Sequence, residues 1–106
     1  MLSSAPVPKL EGMSSDMRPN MTFLLMAQYE GRAIIPLSRV IADYFPHLDE
    51  KKFLSKSLAG QIKIPVVRIE NSQKAARGIA LVDLANYLET RRAMALKEMK
   101  QLSGED

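Results

Sequence analysis

Residues 59–84 have the sequence AGQIKIPVVRIENSQKAARGIALVDL. Two short stretches in it alternate apolar with polar or small residues, on either side of a polar loop. Such a period-2 pattern is typical of strands with one buried side. The apolar residues are Val67 and Ile69 before the loop and Ile79 and Leu81 after it. The pattern predicts a two-stranded β-hairpin over residues 64–81, with a loop too long for a tight two-residue turn.

A short helix is predicted immediately before the hairpin, over residues 49–59. Asp49 is a good N-cap for it, and Gly60 supplies a permissive C-terminal stop. The side chains expected to point inward are Phe53, Leu54 and Leu58.

A second amphipathic helix precedes this one, separated from it by a turn at residues 46–48. Pro36 suits its first turn, and Pro46 interrupts it because proline lacks an amide donor. Its apolar residues recur at helical spacing, and they are Leu37, Val40, Ile41, Tyr44 and Phe45. Further upstream, the apolar segment 23–29 is short enough to be helix or strand, and we favour a helix capped by Thr22.

A long helix is expected to close the chain, with Asp83 as its cap. Its apolar stripe is formed by Leu84, Leu88, Ala95, Met99 and Leu102. Beyond residue 93 the helix is longer than a small domain needs, so Met94, Leu96, Met99 and Leu102 would stay partly exposed on a monomer. This surface predicts a homodimer or higher homo-oligomer, with a frayed helical tail as the alternative.

The order of elements predicts an α+β fold, a winged helix-turn-helix with a two-stranded wing and a long C-terminal helix. We expect a disordered tail at residues 1–20, a DNA-binding domain at residues 21–92 and a helical extension at residues 93–106. Met21 is an alternative translation start.

Composition argues against an enzyme. The chain has 106 residues, which suffice for one small domain. It has no cysteine and a single histidine, His47, so metal sites and nucleophile–base pairs have few candidates. The five glycines are too scattered for a phosphate-binding loop. We therefore expect no catalytic residue, cofactor or metal. Since no signal peptide or membrane-length apolar run is visible, we expect a cytoplasmic, nucleoid-associated protein.

The positive charge is concentrated in the short helix and the hairpin. Residues 49–77 carry seven basic and three acidic side chains, whereas residues 1–48 are neutral overall and residues 78–106 carry −1. A phosphate-binding face would need the charge at this place. The alternative is an ordinary solvated surface.

Ten residues are candidates for contact with double-stranded DNA. On the helix, Lys52, Ser55 and Lys56 are expected to face the bases. The residues expected to contact phosphates are Lys51 on the helix, and Arg68, Asn71, Ser72, Gln73, Lys74 and Arg77 on the hairpin.

Three segments resemble the pyocin activator protein family. They are FLLMAQYEGRAIIPL at 23–37, LAGQIKIPVVRIENSQKAARG at 58–78 and DLANYL at 83–88, and the resemblance spans roughly residues 21–95. It implies a bacterial transcription activator that switches on bacteriocin genes, including phage-tail-like ones, after DNA damage, with RNA polymerase as a partner.

The hairpin after a short helix also resembles, more loosely, the excisionase-like and mercury-regulator-like winged domains. Two other functions stay open. One is an architectural, excisionase-like factor that bends DNA. The other is a protein-interaction module that does not bind DNA, in which the basic hairpin meets an acidic partner.

Overall fold

The computed structural model describes residues 20–72 and 74–104. Within them, four helices and three strands follow one another: α1 (Met21–Gln28), β1 (Ile34–Pro36), α2 (Leu37–Tyr44), α3 (Glu50–Leu58), β2 (Val67–Arg68), β3 (Arg77–Ala80) and α4 (Leu81–Ser103). This architecture is α+β, as predicted, and it is compatible with a winged helix. Of the tail expected at residues 1–20, residues 1–19 lie outside the described residues, and so does one predicted DNA contact, Gln73.

The helix predicted for residues 23–29 is confirmed as α1, but its cap is different. The Asn20 Oδ1 atom accepts a hydrogen bond from the Thr22 amide at 2.7 Å, so Asn20 is the N-cap. Thr22 lies inside the first turn.

The predictions for α2 and α3 are confirmed in their positions. All five residues of the predicted α2 stripe are buried or half-buried. The Asp49 Oδ1 atom accepts from the Lys52 amide at 2.7 Å and caps α3, and Gly60 ends the helix with φ +80°. The inward position predicted for Leu58 is wrong, because its side chain is 89% exposed.

The sheet has three strands instead of the predicted two, in the order β1-β3-β2, with both pairs antiparallel. The central strand β3 contains Gly78, which is buried between Pro36 and Val67. A methyl group at Gly78 would lie 2.8 Å from the Ile35 carbonyl oxygen, so only glycine allows β1 to approach this closely.

The hairpin is also shorter than predicted. Strand β2 ends at Arg68, and Ile69, which the alternation placed on the buried side, is 64% exposed. Strand β3 passes directly into α4 at Leu81, whose amide donates to the Ala33 carbonyl at 2.8 Å. The helix already begins at Leu81, with Ala80 as the N-cap residue, so the predicted cap at Asp83 is wrong, and Asp83 lies in the first turn.

All four helices and strands β1 and β3 contribute to one hydrophobic core. At its centre the Phe45 ring meets the Phe53 ring edge to face, with centroids 5.0 Å apart, and Tyr87 packs against Phe45 from α4. Ile62 and Ile64, in the segment between α3 and β2, are buried as well. The core therefore fixes both α3 and the start of the hairpin against α4.

Tyr29 joins α1 to α2 through a buried ring and a polar contact. Its hydroxyl donates to the Asp43 Oδ2 atom at 2.6 Å, and the Arg39 guanidinium lies 4.9 Å from the ring centroid. Burial, and then the hydrogen bond and charge of Asp43, raise the pKa of Tyr29 above its usual value. The folded protein therefore retains the phenol proton under conditions where the unfolded chain releases it.

This difference in pKa predicts alkaline destabilisation. Below about pH 10 both states are protonated and the contribution of Tyr29 is complete; as pH rises further, only the unfolded state ionises and the free energy of unfolding falls. Tyr29→Phe should lower stability by about 1.5 kcal/mol at neutral pH, through loss of the bond to Asp43. It should also flatten the decline between about pH 9 and 11. Urea denaturation across this range measures both effects.

Tyr44→Phe is the matched control, because the Tyr44 hydroxyl donates to Gln28 at an exposed position, at 2.7 Å. This variant should lose less stability at neutral pH than Tyr29→Phe, because the hydrogen bond that it removes is exposed to water. Equal slopes for the wild type and Tyr29→Phe would contradict the role given to Tyr29.

Candidate nucleic-acid interface

The solvent side of α3 carries a compact set of polar and apolar side chains. Phe53 faces the core, so residues on the opposite side of the helix point to solvent. We call this side the α3 outer face, and it consists of Lys51, Lys52, Ser55 and Leu58, all exposed. Of the residues that the sequence placed on a DNA-facing helix, three lie here.

Lys56, the fourth of them, lies at the border of the outer face. It is half-buried, and its Nζ atom donates to the Gln61 Oε1 atom at 3.3 Å. This bond directs the ammonium group toward the end of α3. Lys56 is thus less available for base contact than Lys52.

Arg68 and Arg77 lie directly opposite each other on β2 and β3. Like charges in such a cross-strand pair repel each other. The Arg68 Nη1 atom approaches the Ser72 carbonyl at 3.4 Å, a contact that neutralises no charge. An anion placed between the two guanidinium groups would offset their repulsion.

The loop that joins β2 to β3 is folded around Ser72. The Ser72 hydroxyl oxygen accepts from the Lys74 amide at 3.2 Å, and the Ser72 carbonyl accepts from the Ala75 amide at 3.1 Å. Ser72 therefore shapes the loop, in addition to its predicted contact with phosphate. Asn71 and Lys74 remain exposed at the end of the hairpin.

A groove of about 470 Å³ separates α3 from the hairpin. It is lined by Leu54, Ser57, Leu58, Pro65, Val66, Arg68 and Arg77. The Ser57 hydroxyl donates to the Ile64 carbonyl at 2.8 Å and so holds α3 at a fixed distance from the segment that leads into β2. The groove brings the apolar end of α3 next to the paired arginines.

A second pocket extends the basic surface to side chains that the sequence did not single out. Lys63 and Arg91 line it together with Gln61, the partner of Lys56, and with Asn86, Tyr87, Thr90 and Met94. Lys63 belongs to the positively charged region of the chain, which was the available signal. Arg91 lies on α4, outside that region, and carried no such signal.

No group of three or more metal-ligating side chains is found in residues 20–72 and 74–104. His47 is exposed in the turn after α2. None of the described helices has the length and hydropathy needed to cross a membrane.

The fold and this surface define a class: a small α+β protein in which a helix with lysines on its outer face adjoins a hairpin with two facing arginines. A family model described as "Pyocin activator protein PrtN" matches residues 22–95, and the chain belongs to that family. The resemblance seen in the sequence is thereby confirmed. The family is one of pyocin activators, which are regulatory proteins and not enzymes. Comparisons with curated proteins and with solved structures gave no match.

Proposed function

We propose that this protein is a sequence-specific DNA-binding activator of pyocin genes, built as a winged helix-turn-helix. Helix α3 enters the major groove, and the hairpin is the wing that contacts the flanking phosphates. The observation that carries the proposal is the exposed α3 outer face beside the cross-strand arginines. The protein acts in the bacterial cytoplasm, at the nucleoid, and after DNA damage.

The dimensions and charges of the surface support this arrangement. Helix α3 has nine residues, a length of about 14 Å, and it presents its outer face free of other elements. Lys52 and Ser55 lie where base edges would be met, and Lys56 adds charge at the border. Lys51, Arg68, Lys74 and Arg77 contact phosphates and set the register.

Selection from a pool of random-sequence duplexes at low salt tests DNA binding directly. The wild type should enrich a defined sequence, and its affinity should fall steeply as salt rises. Failure to bind any duplex at low salt would refute the proposal and favour a protein-interaction module.

Lys74→Ala should weaken binding to all duplexes to a similar extent, since Lys74 is exposed on the loop and contacts phosphate in the proposal. The plot of log affinity against log salt should become flatter by about one unit. Fluorescence anisotropy at several salt concentrations measures this slope. A loss confined to the selected sequence would contradict the phosphate contact.

The proposal includes a dimer formed through the second half of α4. The stripe that packs on the core at Leu84 and Leu88 continues beyond the domain as Ala95, Met99 and Leu102, and Leu102 is 89% exposed. The steps from Ala95 to Met99 and from Met99 to Leu102, of four and three residues, suit pairing with an identical helix. Two copies would place two α3 helices on repeated half-sites.

Met99→Gln combined with Leu102→Gln should convert the dimer to a monomer without loss of folding, because glutamine is a good helix former and both positions are exposed. Sedimentation equilibrium measures the mass. Lys97→Gln, an exposed position on the opposite side of α4, is the control and should remain dimeric. A wild type that sediments as a monomer at DNA-binding concentrations would contradict the dimer.

RNA polymerase is the second macromolecular partner in this proposal, as the family's activator role implies. Transcription with purified polymerase on a template carrying the selected sequence distinguishes an activator from an architectural factor. An activator raises transcript yield, whereas a factor that only bends DNA leaves it unchanged.

A further inference from the structure

Packing in the hydrophobic core does not account for a leucine at position 58. It lies in the last turn of α3 and is 89% exposed, although its neighbours Leu54 and Ser57 are half-buried. Relative to Lys51 and Ser55 it stands seven and three residues further along the helix, so the three side chains form one stripe on the α3 outer face. An apolar side chain thus lies one helical turn from Ser55, which is proposed to face base pairs.

The surroundings of Leu58 combine apolar surface with positive charge. Leu58 borders the groove between α3 and the hairpin, together with Pro65 and Val66. Arg68 and Arg77 line the same groove. An occupant of this place must carry negative charge for the arginines and an apolar group for Leu58.

We propose that Leu58 contacts the C5-methyl group of a thymine in the major groove while Arg68 and Arg77 bind the phosphates of the adjoining backbone; this inference rests on the proposed DNA-binding function. Thymine is the base that presents a methyl group in the major groove, and apolar side chains distinguish it by contact with that methyl. A DNA strand thereby supplies both the anionic and the apolar component. Leu58 is a specificity-determining residue, since phosphate contacts alone carry no sequence information.

Charge favours DNA over a protein as the occupant. Residues 49–77 carry a net charge of +4, and the groove lies within this region. The two arginines repel each other across the strands, and successive phosphates relieve that repulsion more regularly than a peptide with isolated carboxylates.

Replacement of single thymines by deoxyuridine removes the methyl group and leaves base pairing intact. The probe is the shortest duplex that the wild-type protein enriches from the random-sequence pool, with each thymine replaced in turn. The wild type should lose affinity about fourfold at one thymine per half-site, the effect expected for one buried methyl group. Leu58→Ala should bind the unmodified duplex about fourfold less tightly, and the same replacement should then have no further effect.

Leu24→Ala is the matched control, because Leu24 is an exposed leucine on α1, outside the groove. It should retain the difference between thymine and deoxyuridine. Since Leu58 and Leu24 are both exposed, thermal unfolding of the two variants should match the wild type.

Each other outcome has a defined meaning. The inference is wrong, and DNA binding stands, if the wild type forms a salt-dependent complex whose affinity is unchanged by deoxyuridine at every position. The same holds if Leu58→Ala still loses affinity fourfold when the same thymine is replaced. A Leu58→Ala variant with wild-type DNA affinity but no activation by purified polymerase overturns it in favour of a protein contact. Absence of duplex binding by the wild type overturns the proposed function and this inference together.

Discussion

Phe53→Ala is expected to lower the free energy of unfolding by about 3–5 kcal/mol. Phe53 is completely buried and anchors α3 to the core. The variant loses both the burial of the ring and its edge-to-face contact with Phe45, and it leaves a cavity because the surroundings of a deleted core side chain relax only partially. Small domains have a total stability of about 5–15 kcal/mol, so this single change removes a large part of it.

Chemical denaturation followed by circular dichroism measures the loss, and Phe23→Ala provides the matched control. Phe23 is mostly exposed on α1, so its replacement should change stability by less than about 0.5 kcal/mol. A similar stability for both variants would mean that α3 does not depend on the ring of Phe53. In that case Phe53→Ala should also retain DNA binding.

The sequence predicted the helices well where the signals are local. Asp49 and Gly60 act on the ends of α3 through short-range hydrogen bonding and backbone geometry, and both positions are confirmed. The stripe of α2 is set by one helical period and was equally visible. These features need no knowledge of the rest of the fold.

Strand β1 could not be found in the same way. It has only three residues, ends in Pro36, and pairs with β3 far along the chain. No periodic pattern exists in so short a segment, and its pairing depends on the absence of a side chain at Gly78. The third strand is a tertiary effect, and so is the hydrogen bond from the Leu81 amide to the Ala33 carbonyl at the start of α4.

The error at Leu58 has a different cause. Phe53 and Leu58 are five residues apart, which corresponds to about 140° around a helix, so the two side chains cannot share a narrow buried stripe. Hydrophobicity alone suggested an inward position, whereas the angle places Leu58 with Lys51 and Ser55 on the outer face. The exposed Leu58 adds an apolar contact to a surface that the sequence described only by charged and polar side chains.

Lys52→Glu is expected to weaken binding to the selected duplex roughly 10- to 100-fold, the range for the loss of one base contact with a carboxylate placed beside phosphates. Lys52 is the exposed lysine on the α3 outer face that the proposal assigns to base edges. Because a base contact carries sequence preference, binding to the selected duplex should fall more than binding to unrelated duplexes. This pattern differs from the uniform loss expected for Lys74→Ala.

The position of Lys52 in α3 allows a loss of DNA binding in Lys52→Glu to be separated from a loss of stability. Lys52 is the third residue of α3 after the Asp49 cap, and its amide donates to the Asp49 carboxylate. A glutamate at this position completes a capping box and interacts favourably with the positive end of the helix dipole. The variant should therefore be at least as stable as the wild type, and lost DNA binding cannot be attributed to unfolding of α3.

Lys97→Glu separates the local effect from the change in overall charge. Both substitutions lower the net charge from +3 to +1, but Lys97 is exposed on α4, away from the outer face of α3. Lys97→Glu should thus retain the preference for the selected duplex and reduce affinity only slightly, through the weaker long-range field. Equal losses of affinity for the two variants would show that binding depends only on the total charge of the protein. The proposal that α3 enters the major groove would then be wrong.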